Sequence, residues 1–207
     1  MEIKERIKQK ADELYRRYGI KSVTMDEIAS QLGVSKKTIY QSFDDKNELV
    51  DAVFEEMLNY NKSCCRDSRI QAQNAVHEVF LAMDNLQEIM VNMNPSILFD
   101  IERGHPNTFK KFVEFKYHFL FEIMKKNIER GIKEEIYRSE MNADIIAKVR
   151  LEMMMLPFNE ELFSKNQYSL VHLQQQLVEF FLFGMVTPKG YKLITKYQKD
   201  RQKKQVQ

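Results

Sequence analysis

Apolar positions recur at intervals of three and four along nearly the whole chain and rarely alternate, so the pattern predicts helices almost throughout. Ile3, Ile7, Ala11, Leu14, Tyr15 and Tyr18 form one stripe, closed by Gly19, which places a first helix over Ile3–Tyr18. Three helix starts then follow in quick succession. Thr24 with Glu27 is a capping box, Val23 and Ile28 form its hydrophobic staple, and Met25, Ile28, Ala29 and Leu32 mark a short buried face that Gly33 ends. Ser35 caps a second short helix, about Lys36 to Ser42, with Val34 and Ile39 repeating the staple. Asp45 with Glu48 launches a third from Lys46, which runs through Leu49, Val53 and Leu58 towards Tyr60 with no Pro-, Gly- or Ser-rich linker.

Beyond this point the pattern predicts a larger helical body. A helical period holds from Arg69 to Met93. Asn94 and Pro95 open the next helix, and Gly104 stands just past its end. Asn107 starts a strongly apolar helix to Gly131, in which Phe109, Phe112, Phe115 and Phe119 cover much of the circumference. Asn142 or Asp144 begins a helix stopped by Pro157, Ser169 begins another, and Thr187-Pro188 leads into the last. Between Leu170 and Met185 there are more apolar residues than one core-facing stripe needs. Leu170, Leu173, Leu177, Phe181 and Gly184 are therefore expected to meet a second copy of the chain, together with the helix from Asn142 to Leu156, in a four-helix contact. Lys199 to Gln207 reads as a loose, mostly basic tail.

Two short helices joined by a tight glycine turn make a helix-turn-helix, and the second of them turns a polar, basic face outward. Lys36, Lys37, Thr38, Gln41 and Ser42 offer ammonium, hydroxyl and amide groups suited to phosphates and base edges. The run from Thr24 to Leu49 closely resembles the amino-terminal domain of the TetR family of bacterial transcriptional regulators. It carries that family's Ile28-Ala29 pair, Gly33-Val34-Ser35 at the turn, Ile39-Tyr40, the aromatic Phe43, and Lys46-x-x-Leu49 opening the next helix. With the first helix and Gly19 the resemblance covers about residues 3 to 55; beyond that it is architectural. Lys36-Lys37 departs from the glycine or alanine usual beside the turn, which bears on the operator sequence.

The resemblance implies an all-α protein: a DNA-binding domain at 1–46, an effector-binding and dimerisation domain at 47–200, and a tail at 201–207 expected to be disordered. It implies that Thr24, Ser35 and Lys46 at helix starts, together with Tyr40, hold phosphates, while Lys36, Lys37, Thr38 and Gln41 face the major groove. The expected function is a homodimeric repressor on a near-palindromic operator, released by a small apolar or aromatic effector. Phe80, Met83, Phe99, Phe112, Phe115, Phe119 and Met153 are the candidate pocket residues, because methionine and aromatic side chains line adaptable apolar pockets. A regulator without an effector, a helical adaptor that binds only protein, and a helical enzyme are the alternatives.

Composition changes this picture little. Six glycines and four prolines in 207 residues suit long helices, and no apolar run approaches the ~20 residues of a membrane span, so a soluble, cytoplasmic protein is expected. Up to Lys46, ten Lys and Arg stand against eight Asp and Glu, so DNA affinity must come from where charges sit rather than from bulk basicity. No catalytic residue, cofactor or metal is expected. There is no phosphate loop, no His-Glu-x-x-His and no nucleophile elbow, and only His118, with Glu114 and Glu122, has carboxylates at helical spacing. The adjacent Cys64 and Cys65 cannot readily pair with each other.

Overall fold

The computed structural model describes residues 2–91, 93–164 and 166–205, which form eleven α-helices, a π-helical stretch and a 3₁₀ turn. No strand occurs among the described residues beyond an isolated bridge between Tyr137 and Val186. The chain divides into two compact units whose boundary is not at residue 46. The first takes residues 1–61 and 92–115, the second 62–91 and 116–207.

In the first unit, α1 (Ile3–Tyr18), α2 (Met25–Leu32) and α3 (Lys36–Tyr40) close on one another through Ile7, Leu14, Ile28, Ile39 and Phe43, all but sealed from solvent. α4 begins at Lys46 and is unbroken to Gln71, well past the expected Tyr60. Helices α6 (Ile97–Gly104) and α7 (Pro106–Glu114) complete the unit. α6 starts two residues later than Asn94-Pro95 suggests, because the Asn94 side chain accepts a 3.0 Å bond from the Ser96 N–H and makes a turn rather than a cap. Asn94 N–H also donates to the Arg16 carbonyl at 2.6 Å, and Asp100 Oδ2 accepts from Lys21 N–H at 3.0 Å, so α6 grips the α1–α2 connection. α7 is held to α4 by Lys111 Nζ, 2.8 Å from both Asp51 and Glu55, and by Phe112 edge-on to Phe54.

In the second unit, α5 (Ala75–Met90), α8 (Phe121–Lys133), α9 (Ala143–Met153), α10 (Leu170–Met185) and α11 (Pro188–Gln205) surround a core that includes Val76, Phe80, Ile128, Tyr137, Leu182 and Ile194. The single period expected from Arg69 to Met93 is instead two helices. Asn74 caps α5 by accepting from His77 N–H at 2.9 Å, and Ile70, counted as apolar stripe, is 79% exposed. The helix expected from Asn107 to Gly131 starts at Pro106, ends at Lys133, and widens into a π-helix over Phe115–Leu120. That wider turn shifts the phase of the helix after Glu114, as π-bulges do. Residues 201–205 are helical rather than disordered, and Arg201 pairs with Asp84 at 2.7 Å; Val206 and Gln207 lie outside the described residues.

Burial pushes the Cys65 thiol up to about 11, with Cys64 and Glu78 adding to it, the reverse of what a reactive thiolate needs. Among the described residues no three His, Cys, Asp or Glu side chains are placed to hold a metal, and no helix is long and apolar enough to cross a membrane.

Candidate nucleic-acid interface

The outward face of α3 is set by two caps and a left-handed turn. Thr24 Oγ1 accepts from Glu27 N–H at 3.1 Å and Ser35 Oγ from Thr38 N–H at 3.1 Å, so each short helix has a first-turn donor satisfied. Between them Gly33 adopts φ +67°, and the Val34 N–H reaches back to the Ala29 carbonyl at 3.0 Å. A left-handed residue is needed here, and only glycine adopts that conformation without penalty. Asp45 Oδ1 accepts from Glu48 N–H at 2.8 Å and starts α4.

With the turn so fixed, Ile39 and Phe43 point into the core, while Lys36, Lys37, Tyr40 and Gln41 stand in solvent and Thr38 is half-buried. They do not all stand alike. Lys36 Nζ is ion-paired with Asp26 of α2 at 2.8 Å, which holds its ammonium above the usual lysine range, and it lies 5.8 Å from the Tyr40 ring. Thr38 Oγ1 is 2.9 Å from Ser35 Oγ. Lys37 and Gln41, by contrast, make no side-chain hydrogen bond among the described residues. Lys46, expected on phosphate, donates to the Ile20 carbonyl at 2.6 Å; burial lowers its ammonium from the usual lysine value, against the opposing pull of Asp100. The Lys36–Asp26 pair and the Lys46–Ile20 bond were not legible in the sequence, because each joins groups on different elements.

The residues expected at a pocket fall in both units. In the first, Phe115 is buried and Phe112 half-buried, but Phe99 is 53% exposed with the Arg103 guanidinium 4.5 Å over its ring, so it lines no interior wall of its unit. In the second, Phe80 and Met83 are buried, and Phe119 and Met153 half-buried.

On α10, Leu170 and Leu173, expected at a contact between copies, are buried within their own unit, because that phase of the helix faces the core. Leu177 and Phe181 are half-buried. The exposed stripe runs one residue out of phase, through His172, Gln176, Phe180 and Phe183-Gly184. Phe180 is 75% exposed, and on α9 Ile145 and Val149, four apart, are also open to solvent.

Residues 7–53 match the family described as bacterial regulatory proteins, tetR family. Over 168 residues the chain is 22% identical to the uncharacterized HTH-type transcriptional regulator YvaF of Bacillus subtilis, covering 79% of this chain and 86% of that protein. Among solved structures, a TetR-family transcriptional regulator of Agrobacterium tumefaciens superposes with a TM-score of 0.75 at 14% identity, covering 89% of this chain and 97% of that one. A putative transcriptional regulator of Saccharomonospora viridis in complex with choline superposes with a TM-score of 0.70 at 19% identity, over 89% and 97%. At these identities the structural likeness establishes the fold; the relatives are regulators rather than enzymes.

Proposed function

We propose that this chain, whose residues 7–53 match the tetR family of bacterial regulatory proteins and form a helix-turn-helix, represses transcription from a near-palindromic operator as a homodimer and is released by a small apolar or aromatic effector held in the body. The observation that carries the DNA-reading part is the division of labour on α3. Lys36 is paired with Asp26, whereas Lys37 and Gln41 project unpaired from a helix whose buried side is locked by Ile39 and Phe43. Lys37 is suited to guanine O6 and N7, and Gln41 to adenine N6 and N7. Tyr40 and the capped starts of α2 and α3 serve the phosphate backbone, and Lys46 serves it by fixing the α1–α2 connection at Ile20.

Selection from random duplexes, followed by sequencing of what is retained, defines the operator. Lys37→Ala and Gln41→Ala are each expected to relax preference at one or two base pairs by about 1 to 3 kcal/mol. Tyr40→Phe is expected to weaken all sequences alike. Undiminished selection of the wild-type operator by both alanine variants would remove Lys37 and Gln41 from base reading.

The contact between copies is assigned to Phe180, Phe183 and Gly184 of α10 and Ile145 and Val149 of α9, with Leu177 and Phe181 at its margin. Two recognition helices then enter successive major grooves about 34 to 36 Å apart. An effector held in the second unit, where Phe80, Met83, Phe119 and Met153 lie, must favour the released state by about 5.5 kcal/mol to move the population from mostly bound to mostly free.

A further inference from the structure

Two polar side chains inside the second unit lack what their burial demands. α10 carries three successive glutamines that meet different fates. Gln176 lies in solvent, and Gln175 donates to Gln87 Oε1 at 3.2 Å. Gln174 is only 4% exposed, and neither its amide nitrogen nor its amide oxygen has a partner. On α9, Arg150 has its Nη1 sealed from solvent and likewise without a partner, while its Cζ lies 5.4 Å from the Phe181 ring centroid.

Other cations of this unit show how the fold treats such groups elsewhere. Arg130 is bonded to Glu134 at 2.6 Å, Glu78 at 3.0 Å and the Ala72 carbonyl at 3.0 Å, and Lys116 is paired with Glu152 at 2.9 Å. No carboxylate among the described residues pairs with Arg150. Burial pulls its guanidinium down to about 10, and its electrostatic neighbour is the phenol of Tyr137, whose hydroxyl donates to Asn127 Oδ1 at 3.2 Å. A guanidinium nitrogen sealed from solvent without an acceptor, on a half-buried arginine, and a buried amide without a hydrogen bond are both unfavourable, and both become favourable when a ligand supplies the missing groups.

The two sites belong together because Gln174, Val178 and Phe181 share one face of α10, at i, i+4 and i+7. Arg150 lies against Phe181, whose backbone is about 10 Å along the helix from that of Gln174, with buried Val178 between them. We infer that the body binds an amphipathic carboxylate about 10 Å long, its anionic oxygen on Arg150 Nη1 and a second hydrogen-bonding group on the Gln174 amide. This rests on the reading above that the body takes an effector, and it changes the expected chemistry from a purely apolar molecule to an acid with a polar far end.

The test uses 10-hydroxydecanoate, 1,10-decanediol and decanoate, titrated calorimetrically into the full chain. The hydroxy acid is expected to bind at least tenfold more tightly than the diol, and more tightly than decanoate. Arg150→Met should abolish the preference over the diol and leave that over decanoate; Gln174→Leu should do the reverse. Without ligand, Gln174→Leu should melt roughly 2 to 4 °C higher, because an unsatisfied amide has been removed. Equal affinity of wild type for acid and diol, preferences that survive in both variants, or no binding of the hydroxy acid at millimolar concentration overturns the inference. Parallel operator titrations separate the two claims. If the acid binds but operator does not, the repressor reading fails and the site stands; if operator binds but the acid does not, only the site fails.

Discussion

Gly131→Ala is expected to lower the urea midpoint sharply, by the equivalent of about 3 kcal/mol or more, and the melting temperature by roughly 6 to 12 °C. A Cβ at Gly131 would stand 2.0 Å from Tyr137 Cδ2 and 2.3 Å from Cε2, far inside contact distance. The ring cannot yield cheaply, because Tyr137 is 1% exposed within the core of its unit. Its hydroxyl bonds to Asn127, whose Nδ2 in turn donates to the Ala75 carbonyl at 3.0 Å. Nor can the backbone yield cheaply, since the N–H groups of both Ile136 and Tyr137 bond to the Gly131 carbonyl at 2.9 and 3.0 Å. Gly184→Ala is the matched control. It is also helical, nothing lies within 4 Å of its Cβ, and it is expected to stabilise the isolated chain by ~0.5 to 1 kcal/mol. Equal midpoints for wild type and Gly131→Ala would show that the core around Tyr137 relaxes freely, contrary to its packing.

The contrast between these two glycines also shows what a sequence can and cannot disclose. Gly33 was legible as a helix stop because the signal is local: a short apolar face before it and a serine cap two residues after it. Thr24, Ser35 and Asp45 were legible for the same reason, since a cap is made by groups three residues apart. Gly131 was read only as a helix end, yet it lies inside α8 and is required because Tyr137, across a turn, occupies the space beside it. The body misled in a second way. Leu170 and Leu173 share α10 with Phe180, and an apolar excess reveals that a second surface exists without revealing which phase of the helix it occupies. The π-helical stretch at Phe115–Leu120 hides the phase further, because a regular 3.6-residue count carried through it assigns later side chains to the wrong face. Arg150 and Gln174 were invisible on this basis. Nothing local distinguishes a half-buried arginine with a carboxylate partner, as Arg130 has, from one without.

Phe180→Asp is expected to leave the fold intact while separating the two copies and removing operator affinity. The side chain is 75% exposed in the single chain, so a carboxylate there costs its own unit little, and far-ultraviolet circular dichroism should be unchanged. In a two-fold contact the same substitution appears twice and buries two unpaired carboxylates among Phe183, Ile145 and Val149, at several kilocalories per mole each. Leu173→Asp is the informative contrast. Leu173 is buried within its own unit, so that variant should lose helicity rather than merely dissociate. DNA binding follows from assembly. Once one recognition helix is placed, the other binds its half-site intramolecularly, and losing that linkage is expected to weaken operator binding by about 10² to 10⁴-fold. Sedimentation at micromolar concentration and gel shifts on the selected operator read the two effects separately. A Phe180→Asp protein that sediments as wild type places the contact elsewhere. A wild type that sediments as a monomer yet binds a palindrome tightly removes the preformed dimer from the mechanism and leaves the DNA to assemble it.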